Sequence, residues 1–285
     1  MITTEFLSSL DKFNLIVHKR VTSKYTGKRE SLYKGKGSTV KDHRIYAWGD
    51  DFRAIDWRIY ARTDDLYIKV YEEERNLTVH VIVDRSASMN YGKPSKFDYA
   101  AMLGVGFAYL ALKDNEKFQF ATFSDKLDFF QPRRGLAHLA AMTEYLNKTK
   151  TKGVSQFTDT MRQYKKILST KSMIVIISDF LYDVNDIKEG LLQLGDNNIK
   201  VIQVLAAGER HLDIEGDVKL EDSETHGLLR TFISPRTKSD YENKLEHHIA
   251  AIGRECAAMK ADFHVVTTDT PIFDSFYQIL SKEMH

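Results

Sequence analysis

Two short apolar runs, each ending in an aspartate, constrain this chain more than any other feature. Val79 to Val83 is apolar apart from His80 and leads into Asp84, and Met173 to Ile177 is wholly apolar and leads through Ser178 into Asp179. Runs of strand length without in/out alternation are typical of strands buried on both faces, which belong to parallel sheets covered by helices. The surrounding pattern agrees. Strands are expected over 77–83, 117–123, 127–130, 172–177, 199–206, 228–233 and 262–267, with helices over 96–113, 136–147, 158–168, 184–194 and 239–260 and a polar excursion over 208–225. Strands alternating with helices predict an α/β protein with a doubly wound, mostly parallel sheet and helices on both faces.

The texture changes near Leu77, which suggests an N-terminal extension over 1–76 and an α/β domain over 77–285. Within the extension, Lys12 to Arg44 carries ten basic residues against two acids, Glu30 and Asp42. The plain reading of this arm is a solvated helix and loop; counterion release could draw it to nucleic acid, but Tyr25 and Tyr33 are too few aromatics for a stacking platform, and an acidic protein surface is the more economical partner. Asp50 to Arg75 then interleaves acids with Arg53, Arg58, Arg62, Lys69 and Arg75, which reads as an ion-pair lattice with Trp57 and Tyr60 packed beneath it. Over the whole chain 41 Lys and Arg balance 40 Asp and Glu, which argues against a protein that works by coating nucleic acid or anionic membrane. A hydrophobic content of 42% with 4 prolines leaves material for a core and little for proline-rich linkers.

A single cysteine, Cys256, cannot form an internal disulfide or a multi-thiolate metal site. Met1 to Leu10 has no apolar stretch behind a basic leader, and no apolar run reaches the roughly 18 to 20 residues of a membrane helix. The expectation is a cytoplasmic protein that does not insert into a membrane, although it could dock on a membrane complex.

In an open α/β sheet, ligands collect at the carboxyl ends of the strands. If both aspartate-terminated strands are parallel and central, Asp84 and Asp179 face the same rim. Asp84, Ser86 and Ser88 stand at i, i+2 and i+4, a spacing that an extended loop turns to one side while Arg85 and Ala87 point away. Adding Asp179 and a hydroxyl from Gly153-Val154-Ser155 makes an all-oxygen cluster without thiolate or imidazole. Such donors suit a hard divalent cation, Mg²⁺ or Mn²⁺ with Ca²⁺ as an alternative, and not zinc or copper. The plain reading of the same residues is a loop cap, in which short polar side chains bond local backbone N–H groups.

The pattern Asp84-Arg85-Ser86-Ala87-Ser88, with a hydroxyl on a second loop and an aspartate after a later strand, resembles the metal-ion-dependent adhesion site of von Willebrand factor A domains. Upstream, Tyr46-Ala47-Trp48-Gly49-Asp50-Asp51-Phe52-Arg53-Ala54-Ile55-Asp56-Trp57-Arg58-Ile59-Tyr60-Ala61-Arg62 and Tyr71-Glu72-Glu73-Glu74-Arg75 are similar to the signature of the bacterial domain of unknown function 58 family. The resemblance implies a von Willebrand factor A-like domain with a family-specific N-terminal extension, usually associated with MoxR-type AAA+ ATPases, and no known enzymatic reaction. It also implies Asp84, Ser86, Ser88, Ser155 and Asp179 as metal ligands, with an Asp or Glu of a protein partner filling an open position. The second-loop residue is typically Thr in a Gly-Gly-Thr setting, whereas this chain has Ser155, which makes Thr158 its rival.

Two other functions compete. An apolar strand ending in Asp84 could present a nucleophile for aspartyl phosphotransfer of the haloacid-dehalogenase type, with Asp183 as a further acid and Lys171 and Thr122 to grip phosphate. Ser86, however, cannot do the acid/base work of the second aspartate usual there. The third reading is a scaffold with a vestigial metal site. Elsewhere, His247 and His248 read as surface residues, since helix neighbours point about 100° apart, and Cys256 reads as a small buried hydrophobe. Gly104 and Gly106 are expected to permit close packing of their helix.

Overall fold

The computed structural model describes residues 2, 5–11, 13, 39–48, 50–72, 78–131, 135–169, 171–212, 214–223 and 227–281. Most of the basic arm, 14–38, lies outside these residues. The chain divides into a smaller unit over 22–76 and a larger one formed by 1–21 with 77–285. Leu77 begins the second piece of the larger unit. The first piece is tied to it by helix α1 (5–11), which buries Phe6 and Leu10. The rings of Phe6 and Phe13 lie 5.8 and 5.7 Å from that of Phe273. Residues 1–76 are thus shared between two units.

In the smaller unit, β1 (Thr39–Ile45) pairs antiparallel with β2 (Tyr67–Glu72). Between them α2 (Trp57–Thr63) starts at Asp56, whose side chain accepts from Arg58 N–H at 3.0 Å. Asp56 also meets His43 at 3.1 Å and Lys69 at 3.6 Å. Asp51 caps the preceding single turn through Arg53 N–H. Among the described residues these acids therefore act as helix caps as much as pair members, which satisfies N–H groups that the first turn leaves unbonded. Trp57 and Tyr60 pack edge to face at 6.0 Å but are 59% and 38% exposed, so they are not buried beneath a lattice as expected.

The larger unit is built on a six-stranded sheet. Its strands are β3 (Thr78–Asp84), β4 (Lys117–Phe123), β5 (Leu127–Phe129), β6 (Met173–Ser178), β7 (Asn198–Leu205) and β10 (Asp262–Thr267), in the spatial order β10-β7-β6-β3-β4-β5. All neighbours are parallel except β5, which turns back on β4. From β3 the chain winds out to β4 and β5, returns to β6 beside β3, and winds out the other way. This is the doubly wound α/β architecture expected, and β3 and β6 flank its switch point.

One face is covered by α3 (Lys96–Lys113), α4 (Leu136–Lys148) and α9 (Ile272–Ser281), the other by α5 (Phe157–Lys165), α6 (Val184–Gln193) and α8 (Pro235–Ala258). Val81 and Val83 point into the first layer and Ile82 into the second, all three fully buried. Gly104 lets α3 settle on β3: a Cβ there would stand 3.1 Å from Val81 and 3.2 Å from Val83. At Gly106 an added Cβ would fall 1.9 Å from the Phe276 ring, so that glycine admits α9 rather than the sheet.

The expected elements recur with small shifts, and the differences have physical causes. Helix α8 begins at Pro235, four residues before the expected start, because proline suits the first turn and the Ser234 side chain accepts from Thr237 N–H at 3.1 Å. The polar excursion contains β8 (Gly216–Glu221), paired antiparallel with β9 (Leu228–Ile233) in a separate two-stranded sheet. A one-turn helix, α7 (Ala207–Arg210), follows β7.

Candidate metal centre

Parallel pairing of Val83 with Ile177 puts Asp84 level with Ser178 at the carboxyl rim. Asp84 is fully buried, and the surrounding groups converge on it. Its Oδ1 accepts from Ser86 N–H at 2.8 Å, and its Oδ2 accepts from the Ser178 hydroxyl at 2.7 Å and the Ser155 hydroxyl at 3.3 Å. The Ser86 and Ser88 hydroxyls lie 3.1 Å apart, but Ser88 sits in a 3-10 turn over Ala87–Asn90 rather than in the extended loop expected, so that turn and not alternation brings them together. Arg85 turns away to Asp128 at 2.9 Å.

The second loop reaches the first through backbone bonds: Ala87 N–H donates to Gly153 O at 2.9 Å and Lys152 N–H to Arg85 O at 2.9 Å. Gly153 has φ +81°, and a Cβ there would come within 2.9 Å of Asp125 Oδ1, so only glycine allows this approach. The two candidates on this loop separate. Ser155 joins Asp84, while the Thr158 hydroxyl donates to Asp186 O at 2.9 Å and faces α6.

Asp179 completes the group from the end of β6, only 2% exposed. Gln203 Nε2, itself buried in β7, donates to the Asp179 carbonyl at 2.8 Å. Phe180 follows with a left-handed φ of 49°, and His248 Nε2 meets its carbonyl at 2.7 Å. Of the histidine pair, His247 is exposed but His248 is half-buried and holds this loop.

Three site residues carried no signal that the sequence reading used. Ser178 becomes visible once β3 and β6 are paired in register. Lys96, the first residue of α3, is fully buried, and its Nζ donates to Asp179 Oδ2 at 2.8 Å and to Glu209 Oε1 at 2.6 Å. Glu209 sits on α7, where its other oxygen accepts from Ala206 N–H at 2.9 Å. A charged residue that starts an apolar helix, and an acid just past a buried strand, are the signals that could have marked the pair.

Charge at this rim is unbalanced. Burial, and then the neighbouring Asp179, push the Asp84 carboxyl up to about 7 against the pull of Ser178 and Ser86. Burial also opposes the charge on Lys96, but Asp179 and Glu209 outweigh it and raise its pKa above the ordinary lysine value. Three buried or half-buried carboxyl groups thus face one ammonium. The Tyr182 hydroxyl is buried beside Ser178 and Ser155 without a well-formed hydrogen bond to either. Burial and Asp84 raise it well above the usual phenol range.

These donors fit a hard divalent cation. They are oxygens only, they supply two carboxylates and three hydroxyls, and Asp84, unlike Asp179 with Lys96, meets no basic side chain among the described residues. Among the described residues no cluster of three or more His, Cys, Asp or Glu forms a metal site of another kind. Phosphotransfer is poorly served by the same geometry. Lys171 precedes β6, at the opposite end from Asp179, and pairs with Asp196 at 3.0 Å. The Thr122 hydroxyl bonds Tyr145 at 3.1 Å, and Asp183 caps α6 through Asn185 N–H. Cys256 is fully buried, and burial pushes its thiol up to about 12, as befits an inert core residue.

Comparison with known proteins adds family context. The family described as "Protein of unknown function DUF58" matches residues 42–251. Uncharacterized proteins of Mycobacterium bovis and Mycobacterium tuberculosis are each 26% identical over 272 residues, covering 92% of this chain and 84% of theirs. Among solved structures, the conserved hypothetical protein BatB from Bacteroides thetaiotaomicron is 14% identical with a TM-score of 0.46, covering 73% of this chain and 98% of its own. The von Willebrand factor domain of the pilus tip protein Mfa5 from Porphyromonas gingivalis is 15% identical with a TM-score of 0.40, covering 73% and 96%. Among the described residues no helix is long and apolar enough to cross a membrane.

Proposed function

The chain belongs to the DUF58 family, and on that premise we propose that its larger unit is a von Willebrand factor A-like interaction module that captures a carboxylate of a protein partner through a divalent cation. The observation that carries this reading is the state of Asp84. It is an acid with no exposure, ringed by hydroxyls at the switch point, and burial followed by the neighbouring Asp179 pushes it up to about 7. Mg²⁺ is the cation proposed, with Mn²⁺ or Ca²⁺ as substitutes, and Asp84, Ser86, Ser88, Ser155 and Asp179 would hold it. Bound there, the ion would supply a Lewis-acidic attachment point for an Asp or Glu of the partner.

The chain's own residues set the terms of that capture. Ser178 and Ser86 N–H orient the Asp84 carboxylate from both oxygens. Gly153 brings Ser155 to it, and Gln203 and His248 hold the backbone around Asp179. Because the partner's carboxylate adds charge that the site lacks, cation and partner each raise the affinity for the other by the same factor. The role is non-catalytic: Ser86 stands where an aspartyl phosphotransferase needs an acid, and the exposed Lys171 is paired elsewhere. The partner proposed is a MoxR-type AAA+ ATPase in the cytoplasm, with this protein as its adaptor or co-chaperone.

The test is co-sedimentation of the chain with the MoxR-type ATPase of its own cell, in Mg²⁺ and in excess chelator, for wild type and Asp84→Asn. A complex present in Mg²⁺ and lost in both other conditions is expected. A complex indifferent to chelator and to Asp84→Asn, or turnover of a generic phosphate ester abolished by that substitution, overturns the reading.

A further inference from the structure

Lys96 has no role in the cation site as described so far, yet its placement is costly. A lysine with no exposure at the start of an apolar helix is stable only when its charge is met in full. It is met by Asp179 at 2.8 Å and Glu209 at 2.6 Å. One of the two carboxylates that would face the cation is therefore already partly neutralised from within the fold. The other, Asp84, makes no ion pair with Lys96; its close bonds are to Ser86, Ser155 and Ser178.

We infer that Lys96 is the positioning residue that keeps the cation weakly bound until a partner arrives, by offsetting part of the charge of Asp179, while Asp84 has no basic partner among the described residues. Glu209 sets how strongly it does so, because it shares the ammonium with Asp179. The inference rests on the cation reading above and explains how that site would depend on a partner. A site whose charge is partly offset holds a divalent ion loosely, and the arriving Asp or Glu supplies the missing charge. Glu209 lies on α7, directly after β7, and the Tyr241 hydroxyl of α8 donates to its backbone carbonyl at 2.9 Å. Drawing α7 outward would take Glu209 from Lys96, leave the ammonium wholly to Asp179 and weaken the site.

The experiment is a Mn²⁺ titration followed by the electron paramagnetic resonance of the free ion, at mildly alkaline pH, on the full chain. Lys96→Met removes the ammonium at nearly constant length, and Mn²⁺ is expected to bind about tenfold tighter or more, since a unit charge a few ångströms away is felt strongly in a partly desolvated site. Glu209→Gln leaves Lys96 wholly to Asp179, and binding is expected to weaken severalfold. Opposite signs are the mark of charge control, because a merely structural ion triad would weaken binding in both variants. Weaker binding in Lys96→Met, or unchanged or tighter binding in Glu209→Gln, overturns the inference. Should Lys96→Met fail to fold, Lys96→Gln takes its place, since it also removes the charge: tighter binding is again expected, and weaker binding overturns the inference. The cation reading fails separately, if Mn²⁺ binds neither wild type nor Lys96→Met at millimolar concentration, or binds Ser86→Ala/Ser88→Ala as well as wild type.

Discussion

At the residue scale, a 3-10 turn over Ala87–Asn90 brings the Ser86 and Ser88 hydroxyls within 3.1 Å, in place of the extended loop that their spacing suggests. The choice between Ser155 and Thr158 was not legible, since it depends on whether the residue precedes α5 or lies within it. Helix α5 starts at Phe157, so Thr158 is already turned toward α6. Ser155→Ala is expected to weaken Mn²⁺ binding severalfold while Thr158→Ala leaves it unchanged. Calorimetric titration of both variants checks this, and the reverse order would make Thr158 the second-loop donor. His80, the one polar residue in the first apolar run, pairs with Tyr164 OH at 2.8 Å, and burial lowers its pKa from 6.5 to about 4. The unfolded chain therefore takes up the proton first as pH falls. His80 stability is intact above about 6.5 and declines toward 4, by about 3 kcal/mol over the window. Between neutral pH and the middle of that window, urea unfolding should show wild type losing about 2 kcal/mol more than His80→Gln. Equal losses would mean that His80 is not held neutral.

At the element scale, the strands of the large sheet and α3 were legible from run length and periodicity, since β4, β10 and α3 span the residues expected. What escaped were elements whose residues face water or another element rather than the sheet. Strands β1 and β2 were hidden in a charged segment, β8 in a polar one, and α9 follows β10 with its apolar face fitted to α3. The glycines of α3 were noticed but not their separate duties. Gly106→Ala should destabilise by about 1–3 kcal/mol through overpacking, in spite of the gain in helix propensity. Phe276 stands in the way of that Cβ, so Phe276→Leu in the same chain should recover part of the loss. Additive effects in denaturant unfolding would place the strain elsewhere.

At the scale of the whole molecule, the winding order put two aspartates on one rim, and this was foreseeable from the sequence because both strands had to be central. The balance of charge at that rim was not foreseeable. Lys96 and Glu209 are 113 residues apart and meet Asp179 only through the fold. The outcome is a buried acid, Asp84, that pairs with no basic side chain among the described residues, which is the basis for reading the unit as a cation-dependent interaction module. The most direct test is thermal unfolding of wild type and Ser86→Ala/Ser88→Ala in millimolar Mg²⁺ or Mn²⁺ and in excess chelator. A ligand at ten times its dissociation constant adds about 1.4 kcal/mol, enough to move the midpoint visibly. Wild type should be stabilised by the cation, reversibly with chelator, and the double variant should not. A wild-type midpoint that stays fixed, or an equal shift in the variant, would contradict the cation site.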